Sequence, residues 1–301
     1  MIKKTLRIAT RTSPLALRQA ECIKQALYRI HPDLCIELLG LRTAGDRNRR
    51  SGKGLFTKEL EIALLKQRAD LAVHSMKDLP WKLPNGLIIA AVFQRVDPRD
   101  VLLSTQKQCF NDLPKSARIG TSSLRRQAQL LALRPDLQMY NIHGNVNTRI
   151  KKIISGQCDV LILAAAGLIR LEQTHLIREF LKIQHCLPAP GQGALGIECR
   201  ANDMKTLAYV AALNHKASYQ CVLAERTVSQ HLNADCRLPI AAYAVIEQQQ
   251  LFLRARIAKP DGSVLLNAQG YSSLDQAVPL GKQVAEDLLR QGGDEILTEL
   301  L

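Results

Sequence analysis

A carboxylate and an ammonium group that directly follow an apolar segment are the residues of this sequence best placed for chemistry. Residues 70–73 have the pattern of a short buried strand, which leads into His74, Ser75, Lys77 and Asp78. Ligands of α/β sheets bind outside the carboxyl ends of the strands. There, Asp78 can exchange a proton and stabilise a cation, while Lys77 can hold an anionic substrate. A solvated loop with a surface ion pair explains this segment equally well.

The first strand-to-helix turn is a second candidate site, and it would bind an anion. Residues 6–10 are predicted as a strand, after which Ser13-Pro14 provides the N-cap serine and N1 proline that begin a helix. Apolar residues then recur at 4-3-4-3 spacing until His31-Pro32 ends the helix. Arg11 and Ser13 therefore lie beside the free N–H groups of a helix N-terminus, which attract anions. Plain capping by Ser13 is the alternative.

This strand-and-helix pattern returns later in the chain. Residues 118–121, followed by Ser123 and a helix that begins near Leu124, repeat the pattern of residues 7–10 with Ser13 and its helix. Likewise, residues 157–163 repeat the pattern of residues 68–73. The repetition predicts two α/β domains that face a shared cleft.

Two arginines occupy an unusual place in the second of these units. Thr121 and Ser123 precede the predicted helix, and Arg125 and Arg126 lie in its first turn. Cations at this end oppose the helix dipole. A bound anion would compensate for this placement, and a pair of surface arginines is the alternative.

The loops that follow also carry polar residues. Residues 143–149, from His143 to Arg149, form a loop that enters a helix, and Arg170 follows a run of small residues that would let a ligand approach the backbone. Residues 187–196 are rich in glycine and proline and are predicted as a hinge back to the first domain. Asp97-Pro-Arg-Asp100 predicts a crossover.

The chain changes character from about residue 215. Strands and helices are segregated there, which predicts a small α+β domain. Cys236 is the only cysteine in a loop flanked by charge and proline, so it is a candidate point of covalent attachment. An unreactive loop cysteine is the alternative.

The net charge of +14 and the pI near 9.6 point to anionic partners. The basic residues are scattered singly or in pairs with no aromatic residues between them. This distribution favours a small polycarboxylate over nucleic acid.

The eight cysteines have irregular spacing, with no C-x-x-C motif and no cluster with histidine, so we expect no metal site. Most lie in apolar runs and are predicted to be reduced thiols of a cytoplasmic protein. Neither a signal peptide nor a membrane span is predicted.

Taken together, these segments resemble the porphobilinogen deaminase (hydroxymethylbilane synthase) family over nearly the whole chain. The resemblance rests on several motifs in the family's order, which lie at residues 7–17, 52–56, 70–80, 97–100, 120–126, 189–194 and 224–226. Several such motifs in one order are highly specific.

The resemblance implies an α/β protein with two periplasmic-binding-protein-like domains and a small α+β C-terminal domain. The corresponding ranges are 1–94 with 194–212, 99–188, and 215–301. It also implies a dipyrromethane cofactor joined to Cys236 by a thioether. Four porphobilinogen molecules would be deaminated and added head to tail to this cofactor, and water would release hydroxymethylbilane. We expect a cytoplasmic monomer that binds neither membrane nor nucleic acid and acts in haem biosynthesis.

The family's functional residues fall on polar positions of this sequence. The catalytic residue would be Asp78, which would stabilise the azafulvene cation left when ammonia departs and shuttle protons. Besides Cys236, the residues that would bind the cofactor are Ser75, Lys77, Thr121, Ser123, Arg125, Arg126, His143 and Arg149. Those that would bind the substrate are Arg11, Ser13, Lys53, Phe56, Arg170 and Gln192. Every pyrrole carries an acetate and a propionate, and arginines bind carboxylates bidentately.

The sequence departs from the family at five positions. His143 replaces a usual arginine, and Asn147, Ala234, Asp235 and Ala241 replace glycines that would matter if they adopt a positive φ. Two alternatives to the enzyme therefore stay open. One is a divergent paralogue that binds a tetrapyrrole or another polyanion without turnover, and the other, suggested by charge alone, is a nucleic-acid binder.

Overall fold

The computed structural model describes residues 5–45, 56–106, 108–234 and 238–300. The chain divides into two compact units, one formed by residues 1–96 and 194–219 and the other by residues 97–193 and 220–301. The three domain ranges given by the resemblance stay predictions.

The first unit is an α/β unit with one mixed sheet. Its strands are β1 (Thr5–Arg11), β2 (Cys35–Leu41), β3 (Leu71–Ser75), β4 (Leu87–Phe93) and β10 (Leu195–Arg200), and its helices are α1 (Pro14–Ile30), α2 (Lys58–Leu65) and α6 (Met204–Ala211). The strand order is β2-β1-β3-β10-β4. Strands β1, β2 and β3 are parallel, and β10 runs antiparallel to β3 and β4. Ile8, Leu71 and Ile197 of the sheet are buried against Ile23 and Leu27 of α1.

The second unit contains a sheet of the same design. Its strands are β5 (Asp100–Ser104), β6 (Arg118–Gly120), β7 (Gln138–Tyr140), β8 (Val160–Ala164) and β9 (Glu179–Phe180), with helices α3 (Leu124–Leu133), α4 (Val146–Ile154) and α5 (Ala165–Arg170). The strand order is β7-β6-β8-β5-β9. Here too, three parallel strands are followed by an antiparallel one, since β5 runs against β8.

The repeat seen in the sequence is therefore a repeat of structure. In the first sheet the backbone N–H of Arg7 donates to Asp70 Oδ2 at 2.7 Å, and in the second that of Arg118 donates to Asp159 Oδ2 at 2.8 Å. Each pair joins an arginine in one parallel strand to the aspartate that directly precedes the neighbouring strand. The prediction of two similar α/β folds is confirmed.

The remaining part of the second unit is a small antiparallel sheet with helices. It comprises β11 (Ile240–Glu247), β12 (Gln250–Ala258), β13 (Leu265–Ser272), α8 (Ala277–Arg290) and α9 (Gly293–Thr298), and it follows α7 (Lys216–His231). Leu253 and Ile257 of β12 pack in the core with Val284 and Leu288 of α8. The predicted segregation of strands and helices is confirmed, and with it the predicted fold class.

A tight turn places this small sheet against α3. Gly262, between β12 and β13, has φ +76°, and a Cβ there would lie 2.5 Å from Ala132 N and 2.8 Å from Ala128 O. Glycine is required here on both counts. None of the described helices is long and apolar enough to cross a membrane.

Candidate active site

Asp78 lies one turn beyond the carboxyl end of β3. The strand extends through His74 to Ser75, farther than the sequence predicted, and Met76–Asp78 then form one turn of 3-10 helix. Met76 is 1% exposed, and its N–H donates to Ala194 O at 3.1 Å, which fixes the turn against the start of β10. Lys77 and Asp78 are half-buried.

The Asp78 carboxylate is available for chemistry. Among the described residues, none donates a hydrogen bond to this carboxylate or forms an ion pair with it. Ser75, by contrast, is held in place, because its Oγ accepts a hydrogen bond from Gln19 Nε2 of α1 at 2.8 Å. The turn therefore presents a carboxylate that no described residue neutralises.

A buried pair of hydrogen-bonding side chains supports β3 just before this turn. His74 Nε2 lies 2.8 Å from Glu198 Oε2 of β10, and both side chains are buried. Nearby, burial raises the pKa of Glu61 on α2, and the charge of Glu198 raises it further. The sequence motif contains His74, but its structural role was not predicted.

Arg11 and Phe56, two of the predicted substrate-binding residues, are in contact. The Arg11 guanidinium lies 4.2 Å from the centre of the Phe56 ring. Ser13 is the N-cap of α1, as predicted, and its Oγ accepts from Ala16 N at 3.4 Å. Since β1 and β3 are parallel neighbours, Arg11 and Ser75 end their strands at the same edge of the sheet.

Arg125 and Arg126 are buried in the second unit and share one carboxylate. Arg125 Nη1 donates to Asp100 Oδ2 at 2.8 Å, and Arg126 donates to Asp100 Oδ1 from Nη2 at 2.8 Å and from Nε at 3.0 Å. Both arginines are 5% exposed, and Asp100 is fully buried. The anion that compensates for these cations in the first turn of α3 is thus supplied by the protein.

Asp100 is the centre of a larger polar cluster, which we call the Asp100 cluster and which comprises Asp100, Arg125, Arg126, Cys186 and Gln192. Gln192 Nε2 donates to Asp100 Oδ1 at 3.0 Å, and the Cys186 thiol donates to Oδ2 at 3.3 Å. Burial alone would raise the pKa of Asp100, but the two arginine charges hold it well below its usual range. Burial raises the pKa of the Cys186 thiol to about 12.

Arg125 retains hydrogen-bonding capacity beyond this cluster. Its Nη1 also donates to Leu187 O at 2.6 Å, whereas its Nε and Nη2 bond to none of the residues that the structure describes. Just before α3, the Oγ1 of buried Thr121 accepts from Ser123 N at 3.2 Å, and Ser123 makes no capping hydrogen bond through its side chain. Donors therefore remain at the start of this helix.

The other predicted residues of the second unit lie in two loops and in the helices beside them, with Arg149 in α4 and Arg170 at the end of α5. Arg149 Nε donates to Gly144 O at 2.7 Å, in the loop where His143 is exposed. Arg170 Nη2 donates to Gly193 O at 2.7 Å, which fixes the loop that carries Gln192. Gln192 is thereby joined to Asp100, whereas His143 and Arg149 are not.

Two predicted site residues, Lys53 and Cys236, lie outside the described residues. Asp235 does so as well. Of the other departures from the family's glycines, Asn147 lies in α4 and Ala241 in β11, and neither they nor Ala234 have a positive φ. Glycine is therefore not required at these three positions.

Asp100 is the residue that the sequence analysis missed. Its Asp-Pro-Arg-Asp context predicts a crossover, and the signal of its role was the like-charged pair at 125–126 that lacked an anion. No group of three or more potential metal ligands occurs among the residues described.

Comparisons with known proteins agree with the motifs. The family model described as "Porphobilinogen deaminase, dipyromethane cofactor binding domain" matches residues 6–208, and "Porphobilinogen deaminase, C-terminal domain" matches residues 219–290. Among solved structures, the aliphatic sulphonate binding protein SsuA from Escherichia coli is 14% identical, with a TM-score of 0.43 and coverage of 76% of this chain and 71% of that chain. YhfZ from Shigella flexneri is 16% identical, with a TM-score of 0.40 and coverage of 75% and 90%. Structural matches this distant carry no functional information.

Proposed function

Because the chain belongs to the porphobilinogen deaminase family, which acts in tetrapyrrole biosynthesis, we propose that it is a hydroxymethylbilane synthase. In this proposal it deaminates four porphobilinogen molecules and joins them head to tail. Besides the family match, one observation carries the proposal, namely the half-buried Asp78 carboxylate to which no described residue bonds.

Asp78 is proposed to be the catalytic residue. Loss of ammonia from porphobilinogen requires a proton for the leaving amine and leaves a cation on the pyrrole. A carboxylate that is not already neutralised by a cation can stabilise that charge, and the same group can transfer the proton. The buried Met76 anchors the turn, which keeps the Asp78 backbone in a fixed position during the reaction.

The arginines are proposed to bind the acetate and propionate groups of the substrate. Arg11 lies against Phe56, which limits the conformations of its side chain and pre-orients the guanidinium. In the second unit, the Asp100 cluster fixes Arg125, and its Nε and Nη2, which bond to no described residue, can donate to a carboxylate. Such pairs are bidentate and charge-assisted.

The donor set also fits the dipyrromethane cofactor that the matched family domain binds. The carboxylate side chains of this group suit Ser75, Lys77, Thr121, Ser123, Arg125, Arg126, His143 and Arg149, because these residues offer hydrogen-bond donors and no negative charge. When bound, the cofactor supplies the pyrrole to which the first substrate is joined. We propose a thioether to Cys236 as its attachment.

Intact-protein mass spectrometry together with an activity assay tests the proposal. We expect the purified chain to carry an adduct of two porphobilinogen units less two ammonia, which the Cys236→Ser variant should lack. A bare wild-type chain that makes no uroporphyrin from porphobilinogen would support the paralogue instead.

The Asp78→Asn variant tests the catalytic assignment separately. It should fold normally and lose about 10²- to 10⁴-fold in turnover, the usual contribution of a general acid or base. Asp112→Asn is a matched control, since Asp112 also ends a single 3-10 turn, and it should keep full activity. Near-normal product formation by Asp78→Asn would refute the assignment.

A further inference from the structure

The outer face of the antiparallel sheet, opposite its hydrophobic core, carries two arginines. Along β12, Leu253 and Ala255 belong to the core, so Arg254 and Arg256 lie on the other face. A cavity of about 480 Å³ opens there, and its polar lining consists of these two arginines with Gln184, Asn267 and Gln269. We call it the β12 cavity. None of the described residues that line it carries a carboxylate.

Arg256 is held rigidly by neutral groups. Its Nε donates to Asn267 Oδ1 at 2.6 Å, its Nη1 to Gln129 Oε1 at 2.9 Å, and its Nη2 to Gln184 O at 2.9 Å. No described residue forms an ion pair with it. Burial lowers the pKa of Arg256, and the charge of Arg254 lowers it further. The positive charge is therefore partly desolvated, and no described residue balances it.

Arg254 makes fewer hydrogen bonds to described residues than Arg256 does. Its Nε is buried and has no hydrogen-bond partner in the described part of the chain. Its guanidinium lies 5.2 Å from the centre of the Phe252 ring and 5.8 Å from that of Tyr243. Aromatic faces attract a cation but do not replace a hydrogen-bond acceptor. Two neighbouring guanidinium groups on one sheet face, with no counter-charge from any described residue, favour an external anion.

We propose that the β12 cavity binds a small oxyanion with at least two negative charges, a phosphate or a dicarboxylate, between Arg254 and Arg256. The cavity is large enough for such a molecule, and the amides of Asn267 and Gln269 offer further donors. None of the described residues that line the cavity belongs to the proposed catalytic or binding residues, and the proposal does not depend on the proposed function.

Arg254 is the better of the two arginines to replace. Gln129 Oε1, which accepts from Arg256, also accepts from Leu187 N at 2.8 Å, and Leu187 O accepts from Arg125. A change at Arg256 would therefore disturb the Asp100 cluster as well. Arg254 makes no hydrogen bond to a described residue, so its replacement leaves that network intact.

Isothermal titration calorimetry of the full chain, with inorganic phosphate in one series and succinate in the other, tests the proposal. We expect wild type to bind at least one of these probes at a site that weakens about tenfold or more in Arg254→Gln. Arg254→Lys should retain part of the affinity. Lys282→Gln removes one charge from the exposed surface of α8 and should bind as wild type does. The series that shows the effect identifies the ligand as a phosphate or a carboxylate.

A second variant supports the test without removing an arginine. Gln269 is the cross-strand neighbour of Arg254, so Gln269→Glu places a carboxylate beside it and should also weaken binding about tenfold. This variant decides the question if Arg254→Gln does not fold. Binding of neither probe by wild type, or equal binding by wild type, Arg254→Gln and Gln269→Glu, would overturn the proposal.

Discussion

Replacing Asp100 by asparagine should strongly destabilise the second unit. The carboxylate is fully buried and accepts hydrogen bonds from Arg125, Arg126, Gln192 and Cys186. Asparagine keeps one oxygen but brings an NH₂ group to face donors, and it removes the negative charge. Two buried guanidinium groups would then lack a counter-ion.

The expected loss of stability follows from the burial of Asp100 and of the two arginines that it binds. At an effective dielectric constant near 20, each Asp100–arginine attraction is about 4 kcal/mol at 4 Å, before the cost of desolvation. Removing one partner of a buried pair costs about 3–5 kcal/mol net. Because two cations lose the same partner here, we expect Asp100→Asn to lower the free energy of unfolding by about 4–5 kcal/mol. With an m-value of about 3 kcal/mol/M, the urea midpoint should fall by about 1.5 M.

Urea denaturation followed by circular dichroism measures this shift. Asp136→Asn is the matched control, since Asp136 forms a bidentate pair with Arg134 near the surface. This variant should lose far less stability than Asp100→Asn. The folded-state pKa of Asp100 lies below its unfolded value, so its stabilisation is present above that value and is lost as the pH falls through the folded one. The gap between wild type and variant should therefore narrow below about pH 4. A loss no greater than that of the control would refute this account.

Three further predictions concern caps, thiols and pH. Ser13→Ala should reduce the free energy of unfolding by about 1 kcal/mol, measured in urea, because α1 loses its N-cap. Iodoacetamide should modify exposed Cys22 in the native protein but not Cys186 or Cys199, whose pKa burial raises to about 12, and peptide mass mapping would show any exception. Burial raises the folded-state pKa of Glu61, so its ionisation disfavours the fold as the pH rises. The melting temperature of Glu61→Gln relative to that of wild type should thus rise between pH 5 and 8. A difference that stays constant over this range would contradict this prediction.

Local signals predicted the elements of the fold well. Ser13-Pro14 signals the start of α1 and His31-Pro32 its end, and each signal needs only two adjacent residues. The structure has the helix at Pro14–Ile30. The internal repeat was visible because both halves keep an arginine and an aspartate at matching positions. Such features depend on contacts close in sequence or on a pattern present twice.

The contacts between distant residues could not be predicted. Asp100 precedes Arg125 by 25 residues and Gln192 by 92, and nothing in its own neighbourhood distinguishes a buried counter-ion from a turn aspartate. The segment 195–200 was predicted to be a hinge and the end of a strand. Instead, it is β10, which pairs along its length with β3 and β4. Antiparallel insertion between two earlier strands leaves no periodic signal in the sequence.

The position of β10 also sets the order in which the polypeptide can complete its sheets during synthesis. Strands β3 and β4 are translated early, yet the strand that separates them emerges only after residues 97–193. Until then, each has an open edge that could pair with another chain. The sheet of residues 100–180 needs nothing made later, so it can close first. The amino-terminal sheet, although begun first, is finished last, and a nascent chain stalled before residue 195 would need protection from aggregation.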